Sequence, residues 1–229
     1  MVWAPDSVGV NRTSCKKMGD PVMLDFRKEN CALVFIEFQH EWFNPEGFLQ
    51  RRLIEDKAQF HNVVRNATAI IDKARAHDWR IAHAGLNLRG DRDYLVYGGG
   101  TNAVGIRKAI SEAGIWTSDG PDFVKPFDPQ EGEFVVTGRS GASTLKNSTL
   151  DSFLRAFNVD TIIMMGFAIH VCVESTMREA HDIGYRPLVV TDASCGFTAE
   201  HPEYFRTHVA HHFGEAIETM DLLDRLGAA

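Results

Sequence analysis

Cys172 is the residue in this sequence whose setting best fits a nucleophile. It lies between an apolar segment at residues 161–166 and a helix predicted over residues 170–183. Peptide dipoles and unpaired N–H groups at a helix N-terminus stabilise a thiolate and can hold the oxyanion of a tetrahedral intermediate. This interpretation predicts a lowered pKa for the Cys172 thiol. The alternative is a buried cysteine that only packs the first helical turn, and the local residues leave both interpretations open.

Two charged residues, Glu37 and Arg139, also follow predicted strands. Glu37 ends the apolar run at residues 31–36, where a carboxylate could accept the proton of a thiol. Arg139 follows Thr137 and Gly138, and a cation near Cys172 would favour a thiolate. Taken singly, Glu37 is better explained as a carboxylate that meets solvent or caps a helix, and Arg139 as a solvated loop residue. Their interest lies in occurring together with Cys172.

The elements that must position these residues alternate between strands and helices. Apolar runs rich in β-formers predict strands at residues 31–36, 80–84, 133–137, 161–166 and 186–191. Helical spacing predicts helices at residues 59–77, 103–113, 149–157, 170–183, 201–212 and 219–226. The alternation predicts a three-layer α/β/α fold with a mainly parallel open sheet of about six strands. Ligands of such sheets bind beyond the carboxyl ends of the strands, where all three residues fall.

Length and composition limit the class of protein. The 229 residues predict a single domain over residues 29–229, after an extended arm at residues 1–28 that contains prolines and glycines without a regular period. A net charge of −7 without a basic stripe argues against nucleic acid as a partner. The sequence shows no signal peptide and no stretch long and apolar enough to span a membrane, so we expect a cytoplasmic protein without a membrane partner. Four widely separated cysteines without a CxxC pair predict free thiols.

Three stretches resemble one known family. Residues 32–40, Ala-Leu-Val-Phe-Ile-Glu-Phe-Gln-His, are similar to its strand pattern Ile-Asp-x-Gln-Asn. Residues 139–143 and 148–151 are similar to its segments Lys-x-x-x-Ser-Ala-Phe and Thr-x-Leu-Asp, and residues 160–192 to its nucleophile turn, Gly-x-Ala-x-x-x-Cys-Val, with the flanking strands and helix. The family is the isochorismatase-like cysteine hydrolases, which include nicotinamidases, N-carbamoylsarcosine amidohydrolases and ureidoacrylate amidohydrolases.

The resemblance implies a function and a catalytic triad. The family's Asp, Lys and Cys correspond by position to Glu37, Arg139 and Cys172, so two of the three residues differ in type. Glutamate keeps the carboxylate on a longer arm, whereas a guanidinium cannot readily exchange protons, so we expect Arg139 to act through its charge and position. The implied activity is hydrolysis of a C–N bond in a small amide, ureido compound or lactam, through a thioester.

The resemblance also implies an oxyanion hole, and the predicted strand ends indicate where a pocket would lie. A cis peptide bond is expected between Phe167 and Ala168, and the N–H groups of Ala168 and Cys172 would form the oxyanion hole. Most of the expected substrate-binding residues follow the first, second and fourth strands, and the full set is Phe38, His40, Trp42, Phe43, Asn87, Leu88, Trp116, Ile169, His170 and Phe197. The alternative for the aromatic residues and for Ile169 is packing in the core. A set so rich in aromatic residues predicts an apolar pocket, suited to a ring-bearing or alkyl amide.

A metal site and other cofactors are not expected. Nicotinamidases in the family bind a metal through Asp-x-His and further histidines, but here His83 has no companion at that spacing. We interpret His83 as a core or strand-end residue and the pair His211 and His212 as helix surface. Relatives are commonly homo-oligomers, so the resemblance also implies a dimer or tetramer.

Two other functions stay open. The first is isochorismatase-type hydrolysis of a vinyl ether, which needs an acid near the substrate and no thiol, so the presence of Cys172 argues against it. The second is a non-catalytic ligand-binding or scaffold protein that lost activity through the changes at Glu37 and Arg139.

Overall fold

The strands form one six-stranded sheet in the computed structural model, which describes residues 26–97 and 103–227. The strands are β1 (Cys31–Ile36), β2 (Ile81–Ala84), β3 (Phe134–Val136), β4 (Thr161–Phe167), β5 (Arg186–Cys195) and β6 (Glu215–Ile217). Their order is β3-β2-β1-β4-β5-β6, and all neighbours are parallel. The predicted parallel α/β sheet is therefore confirmed. The expected arm lies, for its first 25 residues, outside the described residues.

Helices follow most strands. The α-helices are α1 (His40–Phe43), α2 (Phe48–Leu53), α3 (Lys57–Ala76), α4 (Gly105–Ala113), α5 (Leu150–Ala156), α6 (Glu174–Asp182), α7 (Glu200–Phe205), α8 (His211–Phe213) and α9 (Thr219–Leu226). Short 3-10 turns lie at Lys28–Asn30 and Leu95–Tyr97, and π-helical turns at Ile169–Val173 and Arg206–Ala210. No helix in the described ranges has the length and hydropathy needed to cross a bilayer.

Two hydrophobic cores lie on opposite faces of the sheet. Leu33 and Phe35 of β1 belong to a core that includes the buried face of α3, whereas Val34 and Ile36 belong to a core that includes residues of α5 and α6. Alternation along β1 sends successive side chains to opposite faces, so a strand buried on both sides is apolar throughout. This burial explains why the run at residues 31–36 was readable as a strand.

The ends of β1 and β4 are held close together at the centre of the sheet. The chain runs from β1 outwards to β2 and β3 and then returns to β4 on the other side of β1. A reversal of strand order of this kind leaves a crevice beyond the carboxyl ends. Gly166 permits the close approach, because its φ is 130° and a Cβ atom there would collide with the carbonyl oxygen of Ile36.

Candidate active site

Glu37 is the first residue after β1 and turns away from the strand direction. Its φ of 57° lies in the left-handed region, which is unusual for a residue other than glycine. The backbone N–H of Glu37 donates to Ala84 O at 2.8 Å, and the residue is only 3% exposed. Its Oε1 lies 2.7 Å from Nη1 of Arg139, and its Oε2 accepts a 2.9 Å hydrogen bond from Nε1 of Trp42. Both carboxylate oxygens are thus held in place.

Arg139 reaches this carboxylate from the loop after β3. Its other guanidinium nitrogens donate to backbone carbonyls, Nε to Gly141 O at 2.9 Å and Nη2 to Ala142 O at 2.6 Å. Burial lowers the pKa of Arg139, but the neighbouring negative charges of Glu37 and of a Cys172 thiolate outweigh that effect and raise the pKa above its usual range. The guanidinium is therefore a fixed positive charge that does not exchange protons.

Cys172 lies in the π-helical turn that connects β4 to α6, and it is 4% exposed. Burial and the adjacent Glu37 carboxylate raise the pKa of the thiol to about 12, although Arg139 acts in the opposite direction. The predicted lowering of the Cys172 pKa is therefore wrong. A helix N-terminus and one cation do not compensate for burying the sulfur beside a carboxylate.

A buried hydroxyl network joins the loop of Arg139 to the turn of Cys172. The Oγ1 of Thr176 donates to the carbonyl of Cys172 at 2.7 Å and accepts a 2.9 Å hydrogen bond from the N–H of Thr144. Both threonines are fully buried. Because buried hydrogen bonds fix geometry, this network sets the loop of Arg139 relative to Cys172.

Gln39 joins the loops that follow β1 and β2. Its Nε2 donates to Leu86 O at 3.1 Å and to Pro121 O at 2.6 Å, and its Oε1 accepts from the N–H of Leu86 at 2.9 Å. Gly85 leaves the space for this amide, because a Cβ atom there would lie 2.5 Å from Cδ of Gln39. The sequence pattern included Gln39 but did not reveal this role.

A cavity of about 370 Å³ opens over these residues. Glu37, Arg139, Ala168 and Cys172 line it, together with three of the predicted wall residues, Trp42, Trp116 and Phe197. Sequence reasoning missed the part of the wall that comes from α2 and α4, which is made by Phe48, Leu49, Leu53, Ile106, Ala109 and Ile110. The three- and four-residue spacing within these segments was the available signal, but it does not distinguish a pocket wall from core packing.

Two predicted wall residues, Phe38 and Phe43, are corrected because they pack beneath the site. The ring of Phe38 lies 4.1 Å from that of Phe127 and 5.3 Å from that of Phe167, between ring centroids. Phe43 contacts the rings of Phe60 and Phe167 at 5.4 and 5.7 Å. These aromatic side chains fill the core that supports the cavity.

Three more of the predicted wall residues lie away from the cavity. Ile169 is fully buried in the core on the α5 and α6 side of the sheet. Leu88 is also buried, and its backbone N–H donates to Trp116 O at 2.9 Å. Asn87 is exposed and accepts a hydrogen bond from the N–H of Arg89.

The predicted wall histidines, His40 and His170, do not line the cavity either. His40 is at the surface, with Nδ1 3.7 Å from a carboxylate oxygen of Asp119. His170 lies behind Phe197, edge to face at 4.4 Å, and stacks on His201 at 3.6 Å. Burial and His201 lower the pKa of His170 to about 4, so its ring is neutral near pH ~7.

The other histidines considered as metal ligands, His83, His211 and His212, lie in the core or at the surface. His83 is buried in β2, and its Nε2 lies 2.7 Å from a carboxylate oxygen of Glu133, which also binds Arg75. His211 and His212 are exposed. Within residues 26–97 and 103–227, no cluster of His, Cys, Asp or Glu side chains has the arrangement of a metal site.

The expected cis peptide bond is present between Phe167 and Ala168. Phe167 is buried, and its ring stacks on Trp42 at 5.4 Å. Ala168 and Cys172 stand at the two ends of the turn after β4, and both line the cavity. The two residues predicted to form the oxyanion hole therefore border the same cavity.

The chain is similar to known proteins over most of its length. It is 29% identical over 209 residues to an uncharacterized isochorismatase family protein of Bacillus subtilis, with 91% of this chain and all of that protein covered. It is 27% identical over 202 residues to the ureidoacrylate amidohydrolase of Pantoea ananatis, covering 83% of this chain and 78% of the relative.

A cysteine hydrolase from Pseudomonas syringae has the same fold, with a TM-score of 0.73 and 21% identity over 89% of this chain and 95% of that one. The sequence model of the isochorismatase domain matches residues 31–221, which include the ends of β1, β3 and β4 and the three residues that meet there. The chain therefore belongs to the isochorismatase family.

Proposed function

We propose that this protein is a cysteine-dependent hydrolase that cleaves the C–N bond of a small amide, ureido compound or lactam. The observation that carries the proposal is that Glu37, Arg139 and the Cys172 thiol interact with one another and all line a cavity of about 370 Å³. A carboxylate beside a thiol is a base beside a nucleophile, and the cavity gives space for a substrate at the sulfur.

The reaction begins with proton transfer from the thiol. Glu37 accepts the proton as Sγ of Cys172 attacks the carbonyl carbon, so an S–C bond forms and the carbonyl π electrons move to oxygen. The N–H groups of Ala168 and Cys172 stabilise that oxyanion. On collapse the C–N bond breaks, and the leaving nitrogen takes the proton from Glu37.

Water completes the reaction at the resulting thioester. Glu37 accepts a proton from the attacking water, a C–O bond forms and the S–C bond breaks. The departing sulfur then takes the proton from Glu37, which restores the free thiol and releases the carboxylic or carbamic acid. Glu37 therefore acts as base, acid, base and acid in turn, and Arg139 remains charged throughout.

Arg139 is a positioning residue in this proposal. Three of its nitrogens are held, by Glu37 Oε1 and the carbonyls of Gly141 and Ala142, and its positive charge compensates the carboxylate. A second anion forms when the thiolate appears, and the nearby guanidinium stabilises it.

Similarity to a ureidoacrylate amidohydrolase supports the C–N bond as the target.

Hydrolysis of a panel of primary amides, ureido compounds and lactams tests the proposal, followed as release of ammonia or amine and, for the lactams, as formation of a free amino group. We expect release by the wild-type protein and a loss of at least ~1,000-fold in kcat/KM for Cys172→Ala. Cys195→Ala is the matched control, because Cys195 is also buried with a pKa raised to about 12 by burial but does not line the cavity. Undiminished release by Cys172→Ala would overturn the proposal.

A further inference from the structure

We propose that the substrate is an uncharged amide with an apolar substituent, and that this site discriminates against substrates carrying a carboxylate. The inference rests on the proposed function, since it assigns a substrate class to the same site. It comes from the residues that line the cavity. Glu37, Arg139 and Cys172, together called the polar floor, are its charged and reactive side chains, and the rest of the described wall is almost entirely apolar.

The cation of the polar floor is already paired with an anion. Arg139 is the one cation among the described residues that line the cavity, and its Nη1 lies 2.7 Å from Oε1 of Glu37, so the carboxylate compensates its charge. Its Nε and Nη2 donate to the carbonyls of Gly141 and Ala142. The thiol is neutral because burial and the Glu37 carboxylate raise its pKa. A substrate carboxylate at the floor would therefore face the carboxylate of Glu37 with the nearby positive charge already compensated.

The wall offers no better position for an anion. Helix α2 contributes Phe48, Leu49 and Leu53, and α4 contributes Ile106 and Ile110. A carboxylate that leaves water for such a surface loses its hydration without gaining hydrogen bonds. An alkyl or aromatic group gains from the same surface, because apolar burial on both sides is favourable.

Arg107 follows the wall residue Ile106 on α4, and its contacts direct its charge away from the cavity. Its guanidinium carbon lies 5.7 Å from the ring centroid of Tyr97, and Nη1 donates to Val96 O at 3.2 Å. Arg107 is not among the residues that line the cavity. Tyr97 does line it and carries a neutral hydroxyl, since burial raises its pKa. That hydroxyl suits an amide better than a second charge.

A matched pair of primary amides tests the charge preference. The amide 6-methylheptanamide and the half-amide of adipic acid have the same chain and the same number of non-hydrogen atoms, but one ends in an isopropyl group and the other in a carboxylate. We expect kcat/KM for ammonia release to favour the isopropyl compound by at least about 100-fold. Equal values of kcat/KM, or a higher value for the half-amide, would overturn the inference. The proposed function would still stand if Cys172→Ala abolished hydrolysis of both compounds.

Binding measured without turnover separates the two proposals. In calorimetric titrations of Cys172→Ala, we expect 6-methylheptanamide to bind at least about 100-fold more tightly than the half-amide. This preference would support the inference even if the wild-type protein released no ammonia, a result that would instead contradict the proposed function. Preferred binding of the half-amide, or no binding of either compound up to its solubility limit, would overturn the inference.

A charge placed on the wall should reverse part of the preference. Ile106 lines the cavity and is 41% exposed, so Ile106→Lys can keep its ammonium hydrated while offering it to a ligand. We expect this variant to raise the ratio of kcat/KM for the half-amide to that for the isopropyl amide by about threefold or more, with the same change in the binding ratio in the Cys172→Ala background. Ile106→Gln is the matched neutral control. An equal response in both variants would contradict the role assigned to charge.

Discussion

The buried ion pair between Glu37 and Arg139 predicts strong energetic coupling between the two residues. Their side chains are 4% and 3% exposed, and Oε1 and Nη1 lie 2.7 Å apart. Glu37→Gln would leave a buried guanidinium without its anion, and Arg139→Met would leave a buried carboxylate without its cation. The losses in free energy of unfolding of the two single variants should therefore add up to more than the loss of the double variant.

The structure gives the approximate size of the effect. Removing one member of a buried pair costs about 3–5 kcal/mol, so we expect Glu37→Gln to lower the free energy of unfolding by about 3 kcal/mol. Arg139→Met also removes the donors to the carbonyls of Gly141 and Ala142, at about 1 kcal/mol each, for a total of about 5 kcal/mol. The double variant loses both charges, and we expect a loss of about 3 kcal/mol in place of the additive 8 or so.

Denaturant unfolding of the four proteins measures this cycle. Tryptophan fluorescence and far-UV circular dichroism should give coincident transitions, which justifies a two-state free energy. The exposed pair Lys108 and Glu112, 3.6 Å apart with side chains 54% and 65% exposed, provides the control cycle. We expect Lys108→Met and Glu112→Gln to couple by less than about 1 kcal/mol. A coupling just as small between Glu37 and Arg139 would refute the buried ion pair.

Three further predictions follow from the same geometry. Because the Cys172 pKa is raised to about 12, alkylation of this thiol should accelerate about tenfold per pH unit from pH ~7 to pH ~10, and a plateau near pH ~8.5 would contradict this. Trp42→Phe removes the hydrogen bond to Glu37 Oε2 and should lower kcat about tenfold with little change in KM; an unchanged kcat would show that the bond does not position the carboxylate. Thr176→Val removes the partner of the Thr144 N–H and should reduce the free energy of unfolding by about 2 kcal/mol, whereas Thr176→Ser should restore most of it, as chemical denaturation would reveal.

The sequence predicted the framework of the fold better than its small elements. Five strands were readable because each is an apolar run of strand length, and the run at residues 31–36 is buried on both faces. Strand β6, Glu215–Ile217, was missed because Glu-Ala-Ile is not an apolar run rich in β-formers, and the strand is defined by its pairing with β5. Strand β5 continues to Cys195, past its predicted end, after a register shift relative to β4. Such pairing depends on long-range contacts that local patterns do not contain.

The candidate site was predictable where it depends on topology and less so where it depends on side-chain direction. Glu37, Arg139 and Cys172 all follow strands, and parallel order brings strand ends to one edge of the sheet. The pocket wall follows no such rule. Phe38 comes one residue after Glu37 yet enters the core, whereas Phe48 reaches the cavity from a six-residue helix that was not predicted. Aromatic residues in a sequence do not reveal which of these two destinations they have.

Burial links the raised pKa of Cys172 to the proposed choice of substrate. A permanent thiolate would require a cation whose charge is not already compensated, and Glu37 compensates Arg139. In the proposed reaction the proton moves from Cys172 to Glu37 within the polar floor, so the net charge of the three residues does not change. A neutral amide enters without altering that balance, whereas a carboxylate adds an uncompensated charge to an apolar cavity. Burial therefore keeps the thiol protonated at rest. It also favours an uncharged substrate, whose binding does not change the charge balance in which the proton moves from Cys172 to Glu37.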